Sequence, residues 1–171
     1  SFDDWPMSES FATLGSILSI ALEIGFGMGS SLIDMARKES KTNFLGIEVH
    51  KPGIGKTLND VELYAIKNLK LICHDATEVF QNAFKNKSLD RVLIYFPDPW
   101  PKKRHHKRRL ISRYNLDKFS NVLKKGGQLF IATDHEEYQY WILGIMSNRS
   151  DFRWICSSCN DFKSKPYEYP E

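Results

Sequence analysis

At 171 residues, with 42% hydrophobic and 13% aromatic residues, the chain is long and apolar enough for one domain with a real core, which excludes an intrinsically disordered segment. A formal charge of only +3 excludes a polycation, and three cysteines, an odd number, exclude a disulfide framework and fit a reducing compartment. The longest apolar stretch, Leu14 to Ile24, is broken by Gly15, Ser16, Ser19 and Glu23 and is too polar to span a bilayer, and Asp3 and Asp4 are wrong for a positive leader, so a cytoplasmic protein away from the membrane is expected.

Ser1 to Ser10 reads as a loosely held arm. Ile17 to Ile24 is nearly apolar throughout, the pattern of a strand covered on both faces. The turn Gly25-Phe26-Gly27-Met28-Gly29 follows at once, and Ser30 to Lys38 has helical spacing with Ser30 or Ser31 as N-cap. Asn43 to Val49 is a second strand, and Leu58 to Asn68 a helix carrying Leu58, Val61, Leu63, Ala65 and Ile66. Leu69 to Cys73 is a third strand ending in His74-Asp75, followed by a helix from Thr77 to Phe84 with Glu78 in its first turn. Arg91 to Phe96 is the fourth strand. Asn115 caps a helix running through Lys124, which Gly126-Gly127 ends. Gln128 to Thr133 is the fifth strand, closing at Asp134; Glu136 to Met146 is a helix and Phe152 to Cys156 a short strand. Five strands alternating with helices predict an α/β fold with a doubly wound, mostly parallel, Rossmann-like sheet in a single domain over 1–171, with ligands beyond the carboxyl ends of the strands.

Acids stand at those ends: Glu23, Glu48, Asp75, Asp98 and Asp134. Each alone reads as a cap or turn residue, but all five at strand ends point to a ligand. A pyrophosphate cofactor is disfavoured, because Glu23 would repel it and Ser30 stands where the dinucleotide fingerprint has its third glycine. S-adenosylmethionine carries a sulfonium, an ammonium and a ribose diol, all served by carboxylates. Gly25, Gly27 and Gly29 let the backbone approach it closely, and Glu48, about 20 residues after the glycine turn, is placed for the ribose.

The densest feature is Phe96-Pro97-Asp98-Pro99-Trp100-Pro101 followed by Lys102-Lys103-Arg104-His105-His106-Lys107-Arg108-Arg109. A stiffened carboxylate, an aromatic plane and six Lys/Arg in eight residues suit a base held beside a reactive centre, with phosphates gripped nearby. A solvated turn is the plain alternative for the charge run alone. His50-Lys51-Pro52-Gly53-Ile54-Gly55-Lys56-Thr57 imitates a phosphate loop, but His50 replaces the first glycine and Pro52 removes an N–H. Cys156-Ser157-Ser158-Cys159 lacks a second pair at zinc spacing, and no metal is expected.

Leu22 to Gly29, Gly46 to Gly53, His74-Asp75-Ala76, Phe96 to Arg109 and Ala132-Thr133-Asp134 resemble, in that order, the bacterial tRNA (guanine-N7-)-methyltransferases. The resemblance runs from about Leu22 to Met146. It implies a class I methyltransferase fold, S-adenosylmethionine as donor, and methylation of a guanosine at position 46 in the tRNA variable loop. It implies that Glu23, Glu48, Asp75 and Asp98 line the donor pocket, that Asp98 is the active-site acid, and that Lys102 and Asp134 face the substrate. Arg104, His105, His106, Lys107, Arg108 and Arg109 would contact RNA. The family continues with a Thr-Lys-Phe-Glu-x-Arg-Gly type segment and a last strand, both expected to lie past Tyr169-Pro170-Glu171 and so to be missing from this chain. Trp100 or Tyr95 is a candidate to stack on a flipped base, and simple packing is the alternative for both. Competing readings are an RNA-binding relative without catalysis, which intact Glu23 and Glu48 argue against, and a methyltransferase for another substrate, which has no use for six clustered cations. Monomer and homodimer stay open.

Overall fold

The computed structural model describes residues 19–156, Ser158 and Asp161, without the side chains of Gln81 and Asn82. The expected arm at Ser1 to Ser10 and the Cys159 half of the C-x-x-C lie outside the described residues.

Five strands, β1 (Ser19–Ile24), β2 (Thr42–Glu48), β3 (Leu69–Cys73), β4 (Leu89–Tyr95) and β5 (Leu123–Ala132), form one parallel sheet in the order β3-β2-β1-β4-β5. The helices are α1 (Ser30–Lys38), α2 (Lys51–Leu63), α3 (Ala76–Asn82), α4 (Arg113–Val122) and α5 (Glu136–Met146). On one face Leu22, Ile24, Leu45, Ile47, Val92 and Ile94 pack against Val79 and Phe80 of α3, Leu116 and Phe119 of α4, and Tyr138 and Ile142 of α5. On the other, Ala21, Phe44, Leu93 and Tyr95 meet Leu32, Ile33, Met35 and Ala36 of α1, with Ile54 and Val61 of α2 alongside. Coverage of both faces is why β1 reads as a nearly continuous apolar run, and it bears out the doubly wound expectation.

Several boundaries differ from the expected ones. Helix α2 begins at Lys51 and ends at Leu63, not Leu58 to Asn68. Pro52 is harmless in a first turn, where its missing N–H has no partner to lose. The phosphate-loop imitation is thus the start of a helix, with Ile54 N–H already donating to the His50 carbonyl at 3.2 Å. Neither Ser30 nor Ser31 caps α1: Gly29 does, in the left-handed region at φ 78°. Asn115 does not cap α4 either. Ser112 does, accepting from Asn115 N–H at 3.3 Å, while the buried Asn115 side chain donates to the Leu110 carbonyl. Helix α3 takes Asp75 as its N-cap and stops at Asn82. Gly126-Gly127 does not end a helix but lies within β5, where the β4 register jumps from Leu89↔Leu123 to Arg91↔Gln128. Residues 152–156 form no strand: Phe152 tucks against the core, and the rest is exposed, with no strand beside it among the described residues.

Candidate active site

A parallel sheet puts every strand-to-helix turn on one edge. Along that edge the acids follow the strand order: Asp75, Glu48, Glu23, Asp98, Asp134. At about 4.8 Å per strand the row is roughly 20 Å long. The chain winds outward from β1 to β3 and then returns to place β4 on the other side of β1, so the switch in strand order falls between β1 and β4. The glycine turn and the Asp98 turn flank that crevice.

Glu23, on the last turnward pair of β1, is 2% exposed. Its Oε1 accepts from Ser31 Oγ at 2.7 Å, which is why Ser31 is not a cap. Its Oε2 is buried with no partner among the described residues. Burial pushes the carboxyl up to about 7; the Ser31 hydroxyl opposes the rise and the Glu48 charge adds to it. An orphaned buried carboxylate oxygen has the chemistry to receive a cation. Beside it, a Cβ at Gly25 or Gly27 would meet no atom within 4 Å, so the turn leaves open space where a side chain would otherwise project. An ammonium-bearing, phosphate-free ligand such as S-adenosylmethionine fits this donor set.

Glu48 binds the turn from the next strand. Its Oε2 accepts from Gly27 N–H at 2.7 Å, and its Oε1 accepts from Val49 and His50 N–H at 2.7 and 3.0 Å. Four lone-pair sites against three donors leave it able to accept a hydroxyl as well. Helix α2 closes in behind: a methyl group at Gly53 would sit on the Gly27 carbonyl oxygen, and one at Gly29 on the Thr57 side chain. Gly53→Ala should therefore lower unfolding free energy by roughly 1–3 kcal/mol and loosen the glycine turn, seen as a lower melting temperature together with weaker donor binding. Equal melting temperatures would mean that α2 shifts without cost. Asp75 is exposed and caps α3, its Oδ1 accepting from Thr77 and Glu78 N–H at 2.7 and 3.3 Å.

Asp98 is exposed at the tip of the segment after β4. Phe96 and Trp100, which bracket Pro97-Asp98-Pro99, stand at φ 50° and 44°. Left-handed backbone at two aromatic residues is strained, of order 1–3 kcal/mol each, and persists only when its surroundings hold it. Phe96 N–H donates to the Ala132 carbonyl at 2.8 Å, and Arg109 Nε donates to the Pro99 carbonyl at 2.7 Å. Asp134 is exposed at the end of β5.

The basic run is a 3-10 helix, Lys103–Arg108. Lys102, Lys103, Arg104, Lys107 and Arg108 are exposed, whereas His105 and His106 are half-buried. The Arg108 guanidinium lies 5.0 Å from the Trp100 ring centroid and His105 meets that ring edge-on at 5.8 Å, so only part of Trp100 faces outward. Tyr95 is buried in the core under α1 and is not placed to stack on a base. Arg109 is a correction to the expected set of RNA contacts. Its side chain is 1% exposed and enclosed by α5, so it has no route to a phosphate. The sequence offers Ser31 only as a candidate cap and Gly53 only within the phosphate-loop imitation, and it does not mark Glu137; the contacts of all three come from other elements.

A cleft of about 440 Å³ at the opposite edge, lined by Ser19, Arg91, Lys124 and Gly127 among others, lacks this character. Its Arg91 and Lys124 are already paired with Glu39 and Asp90. No helix among the described residues is long and apolar enough to cross a membrane.

Residues 18–168 match the model of a family described as "Putative methyltransferase". The chain is 42% identical over 170 residues to a tRNA (guanine-N(7)-)-methyltransferase of Klebsiella pneumoniae, covering 99% of this chain and 70% of the relative. It is 42% identical to that of Yersinia enterocolitica (93% and 66%) and 50% identical to that of Shewanella baltica (73% and 52%). The chain thus spans 52–70% of the length of these relatives. Among solved structures it is similar to a precorrin-6y C5,15-methyltransferase of Geobacter metallireducens (TM-score 0.60, 14% identity, 79% of this chain and 64% of that one). It is also similar to an rRNA methylase of Streptococcus thermophilus (TM-score 0.57, 18% identity, 79% and 72%). Both share the Rossmann-like class I methyltransferase fold. The chain belongs to the tRNA (guanine-N(7)-)-methyltransferase family.

Proposed function

We propose that this protein transfers a methyl group from S-adenosylmethionine to N7 of a guanosine in the variable loop of tRNA, at position 46, in the cytoplasm, and that residues 1–171 belong to a single methyltransferase domain. The observation that carries the reading is the juxtaposition of three features at one sheet edge: a buried carboxylate with one oxygen unpaired among the described residues, a strained turn presenting Asp98, and five exposed cations directly after it. Named relatives at 42–50% identity support the substrate.

When bound, S-adenosylmethionine supplies an electrophilic methyl group that guanine N7, with an in-plane lone pair and no proton, accepts without a general base. Glu23 would hold the ammonium and Glu48 the ribose hydroxyls, with Gly25, Gly27 and Gly29 as the floor; Asp75 stands further along the same row. Asp98 accepts from the guanine N1–H and 2-amino group, orienting the base, and its charge favours the cationic base that methylation creates. Lys102, Arg104, Lys107 and Arg108 bind phosphates, His105 and His106 flank them, and Asp134 borders the base on the β5 side.

The test is methyl transfer to unmodified tRNA, with nucleoside mass spectrometry to locate the product. N7-methylguanosine in the variable loop supports the reading; donor binding without any methylated nucleoside overturns it. Replacing Lys102, Arg104, Lys107 and Arg108 together with glutamine should raise the KM for tRNA and flatten the dependence of log affinity on log salt by roughly 3 units. An unchanged slope would place the RNA on another surface.

A further inference from the structure

Arg109 is set apart from the other cations of its run. Its Nε donates to the Pro99 carbonyl at 2.7 Å and its Nη2 to Glu137 Oε1 at 3.0 Å. Its guanidinium lies 5.1 Å from the ring centroid of Tyr138 and 4.8 Å from that of Trp141. Both aromatics are themselves fixed on the segment that follows Arg109: Tyr138 Oη accepts from Ile111 N–H at 3.1 Å, and Trp141 Nε1 donates to the Ile111 carbonyl at 3.0 Å. His106 adds a ring contact to Trp141 and approaches Glu137 Oε1 at 3.6 Å. Arg109 therefore joins three separate pieces: the turn after β4, the first turn of α5, and the end of the basic run. Burial pushes the Tyr138 phenol above its ordinary value; Ile111 N–H and Arg109 oppose the rise and the Asp98 charge adds to it, which puts Asp98 within electrostatic reach of the same cluster.

We propose that Arg109 is a positioning residue, whose buried guanidinium holds the Pro97-Asp98-Pro99 turn in its strained conformation by clamping the Pro99 carbonyl to α5. The turn has two left-handed aromatic residues and returns to ordinary backbone unless restrained, so losing the clamp lets Asp98 swing away from the crevice. Lysine cannot replace this arginine, because a single ammonium cannot reproduce the planar fork or its stacking between two rings. Glutamine at 137 keeps an acceptor and should be tolerated.

The role of Asp98 in methyl transfer rests on the function proposed above, so the test has one arm that does not use activity. In Arg109→Lys, exchange of the Phe96 amide, which opens the turn and donates to the Ala132 carbonyl, should accelerate at least tenfold, while Leu22, Leu45 and Val92 in the central strands keep their wild-type rates. In turnover, kcat on tRNA should fall 30-fold or more, with the tRNA KM, the salt slope and the donor Kd within a few-fold of wild type, and Glu137→Gln should stay within a few-fold in kcat. Exchange of the Phe96 amide equal to wild type overturns the proposal. So does a salt slope reduced by about one unit with kcat intact, which would make Arg109 a phosphate ligand. If the wild-type protein methylates no tRNA, the functional reading falls, and the exchange arm still decides whether Arg109 holds the turn.

Discussion

Replacing Asp98 with alanine lowers kcat for methyl transfer to tRNA by about 10²–10³-fold, the usual loss when a preorganised charge is removed from a transition state that needs it. The donor Kd should stay within a few-fold, because the proposed ammonium and ribose contacts are those of Glu23 and Glu48. Asparagine recovers little: it keeps an acceptor for the guanine edge but not the negative charge that favours the cationic base. Single-turnover kinetics with donor in excess separate these effects. The turn bears on the side chain's position, since Pro97 and Pro99 restrict the backbone beside Asp98 and Phe96 and Trp100 stand in left-handed backbone on either side of it. Turnover of Asp98→Ala within threefold of wild type would remove the residue from its role.

The second large effect concerns Glu23→Gln, which should make the protein more stable and less able to bind its donor. The carboxyl titrates at about 7 in the folded chain against about 4.5 unfolded. Between those values the unfolded state releases a proton that the folded state retains, so stability is greatest below pH 4.5, declines as pH rises, and levels off above 7. The full decline is roughly 3 kcal/mol, about 1.4 kcal/mol for each unit. Glutamine stands in for the protonated acid, with its Oε1 still able to accept from Ser31 Oγ. At pH 8 the variant should melt some 6–12 °C higher than wild type, and the gap should close toward pH 5. Donor affinity moves the other way. In wild type it should weaken about tenfold per unit as pH falls below 7, because a cation needs the ionised form; in the variant it should be low and flat with pH. A melting gap that does not depend on pH would show that Glu23 is ionised throughout. The site thus trades stability for function.

The strands were legible because burial on both faces leaves a run such as Ile20-Ala21-Leu22 that nothing else in a short chain resembles, and their alternation with helices implied the topology. The acids at the strand ends were legible for the same reason, as the fold brings every such end to one edge. What could not be read depends on contacts between distant parts of the chain. Helix α2 starts at Lys51 because Gly53 must pass against the Gly27 carbonyl, and neither glycine announces the other. Ser31 looks like a cap until Glu23 is placed beneath it. Gly126-Gly127 looks like a helix stop, whereas the sheet absorbs it as a slip in register. Arg109 is indistinguishable from Arg108 in the sequence; Glu137, Tyr138 and Trp141, some thirty positions later, make it a buried clamp.

That slip in register also divides the outer edge of β5 into two unlike halves. Among the described residues β5 has a neighbouring strand on one side only. Its first half, Lys124-Lys125-Gly126-Gly127, is cationic and irregular in register, a poor surface for another strand to lie flat against. Its second half, Leu129 to Ala132, is apolar and half-buried. Among the described residues, the stretch of this edge that a further strand could extend is therefore short, about four residues. A strand added there would cover apolar side chains, whereas one added along Lys124 to Gly127 would meet charge and a broken register.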